Sequence, residues 1–248
     1  MPDLTPLTLL LILVSPAVGS FLAVLIDRLP RNEDVIAKRS ACRSCGFVLR
    51  PIQLIPLISF MMQRGKCYSC KQRIPVWVFY VELLALCAAV LAVLAGGDPT
   101  HVFLSGLFLW LLIGLACADL VWYRLPDVLT AVLAAVAVGL ALGPGGIGIY
   151  YAALGAVFGA GSFAALRAGY FWLRSREGLG LGDVKLMVGL GAFAGPFDLP
   201  LLILFGALIG LMIAVLRRVR DPSALKADGV IPFGAALCAA AALLWLVN

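Results

Sequence analysis

The chain has 248 residues, 63% of them hydrophobic and only 13% charged, and its mean hydropathy is +1.06. Soluble domains contain about 25% charged residues, so this composition excludes a soluble globular protein and indicates a membrane protein. The formal net charge of +6 is explained by membrane topology and by attraction to anionic lipid, and we predict no nucleic-acid partner.

Eight apolar segments follow one another along the chain. Crossing a bilayer core of about 30 Å takes about 20 helical residues, and most of the segments approach that length. The sequence therefore predicts an all-α polytopic membrane protein with about eight transmembrane helices. The first segment lacks a basic start and a cleavage site, which favours a retained span over a cleaved signal peptide. The predicted spans cover residues 5–27, 77–96, 101–119, 127–144, 147–166, 184–197, 199–216 and 230–247.

Basic residues are confined to alternate connections between these spans. All 19 Lys and Arg residues fall in the segments 28–76, 119–127, 167–185 and 217–226. Because loops rich in Lys and Arg stay in the cytoplasm, we predict that these segments face the cytoplasm and that both termini lie outside. Asp119 and Asp183 are then both at the cytoplasmic face.

The first cytoplasmic loop, residues 28–76, contains two Cys-x-x-Cys pairs. Cys42 with Cys45 and Cys67 with Cys70 are separated by 21 residues. This spacing is typical of two turns that hold one zinc ion through four thiolates, and such a closed site is structural rather than catalytic. Disulfides are the alternative, and they are rare in the reducing cytoplasm.

An apolar stretch, residues 54–62, lies between the two cysteine pairs. We interpret it as a small hydrophobic core around the zinc ion. A segment that lies in the membrane interface is the alternative interpretation.

Two aspartates are the most unusual carboxylates of the chain. Asp119 closes the third predicted span, where the helix dipole disfavours negative charge, and Asp183 opens the sixth. A carboxylate at the centre of a membrane helix costs about 2.5–3.5 kcal/mol on insertion scales, so it is rare there without a function. On facing helices the two groups would share one proton and activate a water molecule, which is the chemistry of an aspartic protease.

Gly178, Gly180 and Gly182 alternate with leucine just before Asp183. Glycine has no side chain, so another backbone can approach it closely. We therefore predict that this segment, with Gly180 and Gly182 nearest the carboxylate, forms the surface that binds an extended peptide.

Three other charged residues each have two interpretations. Lys185 is either a partner for a negative charge in the substrate-binding site or an anchor at the membrane surface. Asp127 either caps the fourth span or belongs to the substrate-binding surface. Glu82 is the only Glu within a predicted span, and it either pairs with an Arg or lines a second site.

Other classes of function fit less well. The single histidine, His101, is predicted to lie outside, which excludes Ser-His and Cys-His catalysis at the cytoplasmic face. An ion-coupled transporter that uses the aspartates as a proton relay is the alternative, but it predicts midplane carboxylates and inverted repeats. A zinc-stabilised scaffold without catalysis leaves Asp119 unexplained.

Several motifs occur together in this chain. They are Gly19–Pro30, the two cysteine pairs, Leu54–Ser59, Arg64–Cys67, Val81–Leu84, Asp119 with Leu125–Asp127, Gly180–Lys185 and Ile231–Gly234. On these motifs the chain resembles, over essentially its whole length, the type IV prepilin peptidases, bacterial membrane aspartic proteases of the GxGD class. The Gly-x-Gly-Asp segment is weak by itself but specific in combination with the upstream Asp-x7-Asp and the four cysteines.

The resemblance implies that Asp119 and Asp183 are the catalytic pair and that Asp127 is a neighbour. It also implies that the protein cleaves the leader of prepilins or pseudopilins at the cytoplasmic face of the bacterial inner membrane. Such proteins serve type IV pili and type II secretion. The family often methylates the new N-terminal amine with S-adenosylmethionine, and Glu82 is our candidate residue for binding that cofactor.

The chain departs from the family pattern at three places. Ala23 replaces a usual Asn, the segment 74–80 lacks the usual Ser and Tyr-Pro, and Ala235 replaces a frequent Pro. None of these departures affects the aspartates. We divide the chain into a first transmembrane helix at 1–27, a zinc-binding domain at 28–76 and a transmembrane protease domain at 77–248.

Overall fold

The computed structural model describes residues 5–175, 178–220 and 231–247. Its regular secondary structure is helical, apart from two isolated β-bridges in the cysteine loop. The helices are α1 Pro6–Arg28, α2 Ile58–Met62, α3 Val76–Ala95, α4 Pro99–Trp122, α5 Asp127–Leu142, α6 Ile149–Arg174, α7 Leu181–Arg220 and α8 Phe233–Val247.

Five helices within the described residues are long and apolar enough to cross a membrane, namely α1, α3, α4, α6 and α7. The apolar helices α5 and α8 are shorter, with 16 and 15 residues. The all-α membrane class is thus confirmed, whereas the number of eight spans stays a prediction.

The sixth and seventh predicted spans form one element, α7, which has 40 residues. Gly195 interrupts its helical geometry with a φ of 65° and is followed directly by Pro196. The left-handed φ suits glycine, and proline cannot donate the next helical hydrogen bond, so the two residues together produce the kink.

The chain forms two compact units, Met1–Gly114 and Leu115–Asn248, and the division falls within α4. In the first unit, α1 packs closely against α3 at Gly19. A side-chain carbon on Gly19 would lie 2.7 Å from the Cα of Glu82, so only glycine allows this approach. Trp110 of α4 holds α4 against α3, because its Nε1–H donates a 2.8 Å hydrogen bond to the carbonyl of Ala85 on α3.

The apolar stretch between the cysteine pairs is mostly on the surface. Ile58, Met61 and Met62 each have more than half of their surface exposed. Phe60 is different, because its ring stacks on Phe79 of α3 with the centroids 5.0 Å apart. The expected hydrophobic core around the metal is therefore wrong for most of this stretch.

Helix α7 is central to the second unit and packs against α5, α6 and α8. The contact with α6 is made between glycines. A side-chain carbon on Gly155 would collide with the carbonyl of Gly191, and one on Gly191 would collide with Gly155. Small residues at a helix crossing let backbones approach closely, which is a principal source of helix association in membranes.

We predict that Gly155→Val destabilises the second unit, because the added side chain has no space at the α6–α7 crossing. Overpacking of this kind costs about 1–3 kcal/mol. The measurement is the thermal unfolding midpoint of purified protein in detergent.

The control variant is Gly161→Val, on the same helix, where a side-chain carbon meets no atom within 4 Å. An equal midpoint for the two variants would contradict the role assigned to the glycine crossing.

Candidate active site

The four cysteines of the loop come together in the first unit. The Sγ atoms of Cys42, Cys45, Cys67 and Cys70 all lie within 4.8 Å of one another. Cys42 Sγ is 3.8 Å from Cys70 Sγ, and Cys45 Sγ is 4.0 Å from Cys67 Sγ. A metal with four sulfurs at about 2.3 Å in a tetrahedron requires sulfurs about 3.8 Å apart, so the cluster fits a tetrahedral metal site.

The two cysteine pairs sit on equivalent turns. Cys42 N–H donates to the carbonyl of Phe47, and Cys67 N–H donates to the carbonyl of Gln72. The residue four positions after each of these cysteines has a left-handed φ, 71° at Gly46 and 59° at Lys71. Backbone N–H groups of Cys45 and Ser44 lower the pKa of the Cys42 thiol to about 6, which favours the metal-binding thiolate.

Asp27 and Arg28, at the end of α1, organise the start of this loop. Arg28 is buried, and its guanidinium donates to the carbonyls of Asp34 at 2.9 Å and Lys38 at 2.7 Å. Asp27 forms ion pairs with Arg31 and with Arg43, the latter at 2.8 Å. The sequence indicates only an adjacent acid and base at a membrane boundary, so this role depends on loop geometry that the sequence does not reveal.

Glu82 is buried on α3, and its Oε2 accepts a 2.8 Å hydrogen bond from the N–H of Leu57. It lines a cavity of about 350 Å³ in the first unit. Glu82 therefore lines a cavity, and its role in a second site stays a prediction.

Asp119 lies in the last turn of α4, where the dipole of its own helix opposes a negative charge. Its compensation comes from the start of α8, since the N–H of Ala235 donates a 2.8 Å hydrogen bond to Asp119 Oδ2. N–H groups in the first turn of a helix have no partner within the helix and attract anions. The first turn of α8 thus supplies the N–H groups and the favourable dipole that the end of α4 lacks. The departure at Ala235 therefore does affect an aspartate, contrary to the expectation from the sequence, because a proline at this position would have no N–H to donate.

Asp183 lies in the first turn of α7, where the helix dipole favours a carboxylate. It meets Asp119 across Gly234. A side-chain carbon on Gly234 would lie 3.1 Å from Asp119 Oδ2 and 3.1 Å from Asp183 Oδ1, so the two oxygens are at most twice that distance apart. The structure therefore brings the two sequence-predicted aspartates together.

Three residues of this site were missed by the sequence reasoning as site residues: Leu125, Gly234 and Ala235. Leu125 fills the space beside both glycines, because side-chain carbons on Gly182 and Gly234 would lie 3.2 Å and 2.9 Å from its side-chain atoms. Leu125 and Gly234 do lie within segments that carry the family resemblance, which is the signal that points to them.

The glycines before Asp183 differ in their surroundings. A side-chain carbon on Gly178 would collide with the ring of Tyr170, whereas one on Gly180 would lie 3.5 Å from Asp183 Oδ2, at ordinary contact distance. Arg167 Nε donates to the carbonyl of Leu179 at 3.2 Å and so ties the segment to α6. Gly180 is thus the glycine of the three at which a side chain would touch the carboxylate and meet no other side chain within 4 Å.

Lys185 and Asp127 form an ion pair at the surface. Lys185 Nζ lies 2.7 Å and 2.8 Å from the two carboxylate oxygens of Asp127. The pair joins the first turn of α7 to the first turn of α5, next to the aspartates in sequence. Both side chains are more than half exposed, so the pair is accessible to a bound peptide.

Two family profiles match the chain. The bacterial peptidase A24 N-terminal domain matches residues 13–95, and the type IV leader peptidase family matches residues 106–215. The first match contains the cysteine cluster and Glu82, and the second contains both aspartates. No solved structure matches the chain.

Curated relatives extend the similarity over most of the chain. Proteins named prepilin leader peptidase/N-methyltransferase are 34% identical in Pseudomonas aeruginosa and 31% identical in Bacillus subtilis, covering 94% and 92% of this chain and 89% of each relative. The one in Neisseria gonorrhoeae is 35% identical over 82% of this chain and 79% of its own length. The chain belongs to the type IV leader peptidase family.

Proposed function

We propose that this protein cleaves the leader peptide of type IV prepilins or pseudopilins with Asp119 and Asp183 and then methylates the new N-terminal amine. The observation that supports it is the meeting of the two carboxylates across Gly234. The enzyme class follows from family membership, and the comparisons give no support to an ion-coupled transporter.

The geometry suits an aspartic mechanism. One carboxylate, ionised, takes a proton from the water that attacks the scissile carbonyl. The other, protonated, hydrogen-bonds the carbonyl oxygen and then gives its proton to the leaving amine. The N–H of Ala235 fixes one Asp119 oxygen, so the carboxylate keeps its orientation while the proton moves. Since a close pair titrates as a unit, the two roles belong to the pair.

The substrate is expected to lie beside Gly180 and the exposed ion pair, because Gly178 and Gly182 pack against Tyr170 and Leu125. Gly180 and Gly182 flank the start of α7, and an extended peptide at Gly180 passes directly beside Asp183. Lys185 and Asp127 offer one charge of each sign to the peptide. An exposed pair contributes about 1 kcal/mol or less to stability, so breaking it to bind substrate costs little.

Five long apolar helices and the family make this an integral inner-membrane protein. We propose that it crosses the membrane eight times, with both termini outside and the aspartates at the cytoplasmic face, in contact with anionic lipid. This orientation rests on the distribution of Lys and Arg.

Part of the basic segment 217–226 lies outside the described residues. The three-part division at residues 27 and 76 is kept as part of this proposal.

We propose that the four-cysteine cluster holds one structural zinc ion. Thiolates in this arrangement fill all four positions around zinc, leaving none for a reacting water. The ion then fixes the fold of the loop and takes no part in proteolysis.

Asp119→Asn and Asp183→Asn are each expected to lower the rate of leader cleavage by at least about 10²-fold, because each removes half of the acid–base pair. Asparagine keeps the size of the side chain and can still accept the Ala235 hydrogen bond. The assay follows cleavage of a prepilin-type peptide by mass spectrometry.

Asp98→Asn is the matched control, since Asp98 caps the start of α4 through Thr100 N–H and asparagine caps equally well. Normal cleavage by either active-site variant would refute the aspartic mechanism.

Elemental analysis of freshly purified protein is expected to find one zinc per chain. Cys67→Ser should abolish zinc binding and expose residues 28–76 to limited proteolysis, because zinc contributes on the order of 10 kcal/mol to small modules. Cys87→Ser is the control, as Cys87 lies on α3 outside the cluster. Zinc-free wild-type protein with a protected loop would contradict the assignment.

Gly180→Val is expected to impair cleavage, because its side chain would occupy the space beside Asp183. A displacement of about 1 Å at a reacting group costs on the order of 10²-fold in rate. Gly169→Val is the comparison, since a side-chain carbon there meets no atom within 4 Å. If both variants cleave at the normal rate, the peptide does not pass Gly180.

A further inference from the structure

We propose that the cavity of the first unit, between α1, α3 and the cysteine loop, binds S-adenosylmethionine, with Asp27 and Glu82 holding its positively charged part. This inference rests on the methylation half of the proposed function. Neither the family match nor the relatives assign the binding site to any residue.

The cavity has the size and mixed lining of a small-molecule site. Its volume is about 350 Å³, within the range of about 300–1,000 Å³ typical of ligand pockets. The walls combine apolar side chains with many polar and charged groups, which suits a ligand that is itself polar and charged. The polar and charged lining of the cavity comprises Ser20, Asp27, Arg28, Ser40, Arg43, Ser44, Gln53, Ser59, Gln63, Gln72, Arg73 and Glu82.

The packing of α1 on α3 places two carboxylates in one cavity. Ser20, Ala23 and Asp27 follow one another at helical spacing on the same face of α1, and Val78 and Glu82 do so on α3. The close approach at Gly19 brings this face of α1 against α3 beside Glu82. A larger residue at 19 would separate the helices and remove the wall that Glu82 forms.

The charges in the cavity complement those of S-adenosylmethionine. The cofactor carries a positive sulfonium, a positive ammonium, a negative carboxylate and an apolar adenine ring. Glu82 has only 6% of its surface exposed, and Asp27 has 15% of its side chain exposed. Because charges attract more strongly away from water, Glu82 is well placed for a cationic group. Asp27 already pairs with Arg43 at 2.8 Å, so the two residues together present one charge of each sign to the ammonium and carboxylate of the cofactor. Arg43 and Arg73 in the same lining can hold the cofactor's carboxylate.

Glu82 is held in place before any ligand binds. Its Oε2 accepts the N–H of Leu57, a residue with a left-handed φ of 61° just before α2. A non-glycine residue pays a conformational cost in this region, and such residues concentrate at functional sites. The hydrogen bond therefore joins the cavity wall to the loop that closes it.

When bound, S-adenosylmethionine would supply a methyl group to a nucleophilic amine. The cavity residues bind and orient it. Ala23, which replaces the family's usual Asn, also lines the cavity, so this chain has more room and one polar group fewer at that point.

The experiment measures binding to the whole purified protein by isothermal titration calorimetry. The probes are S-adenosylmethionine and S-adenosylhomocysteine, which lacks the methyl group and the sulfonium charge. We expect the wild type to bind the charged form more tightly. Glu82→Gln and Asp27→Asn should each weaken S-adenosylmethionine at least about tenfold and reduce the preference between the two ligands.

Glu33→Gln is the matched control. Glu33 belongs to the same loop and pairs with Lys38 and Arg31, but it does not line the cavity. Zinc content and the thermal midpoint of each variant show whether the first unit remains folded. Glutamine at 82 can still accept the Leu57 N–H, so its effect reports the lost charge.

The results of these measurements distinguish an error in the proposed cofactor site from an error in the proposed methylation activity. Wild-type protein that binds S-adenosylmethionine, with unchanged affinity in folded Glu82→Gln and Asp27→Asn, would show that the cofactor binds elsewhere. Wild-type protein that cleaves the peptide but binds no S-adenosylmethionine would overturn both this site and the methylation half, leaving proteolysis intact.

Discussion

The contact between the start of α8 and Asp119 is the interaction on which the proteolytic site depends, and in this chain it includes the hydrogen bond from Ala235 N–H. A carboxylate at the end of an apolar helix faces the negative end of that helix's dipole, and it needs compensation from elsewhere. The first turn of α8 supplies it with N–H groups that have no partner within their own helix. For α8 to come close enough, residue 234 must be glycine, and that same glycine lies against Asp183. One contact between distant parts of the chain thus stabilises Asp119 and places it beside its partner.

The sequence predicts the chemical groups of this protein better than their arrangement. Asp119 is recognisable because a carboxylate at the end of a span has no local explanation, and the cysteines because their spacing suits a metal. Ala235 and Leu125 cannot be found in this way, since neither a backbone N–H group nor one leucine among many stands out in an apolar sequence. Their roles arise only when residues more than one hundred positions apart meet. Ile58 and Met62 were predicted to belong to a hydrophobic core and are exposed instead. The prediction failed because apolar character alone does not distinguish a core from an apolar surface.

The glycines before Asp183 illustrate how a single pattern can serve two purposes. Gly178 makes room for the ring of Tyr170, and Gly182 makes room for Leu125, so both allow the protein's own parts to pack. Of the three, only Gly180 has no neighbouring side chain other than Asp183 against its missing side chain. Because the loop is held by Arg167 and packed at the glycines on either side, this position is fixed relative to Asp183. A fixed position of this kind suits the proposed peptide contact better than a flexible loop would, since catalysis depends on sub-ångström placement.

Both units use a glycine to position a buried carboxylate. Gly234 lies against Asp119 and Asp183 in one unit, and Gly19 lies against the backbone of Glu82 in the other. In each case the missing side chain lets a second helix come within contact of the acid, where it displaces lipid and water and supplies a wall. A carboxylate exposed to lipid would be too costly, and one fully solvated would bind a cation weakly. The glycine contact gives each carboxylate a surrounding between these two cases, neither exposed to lipid nor fully solvated. If the acids have the roles proposed above, proteolysis and methylation place the same physical demand on helix packing, and in this chain a glycine meets it in each unit.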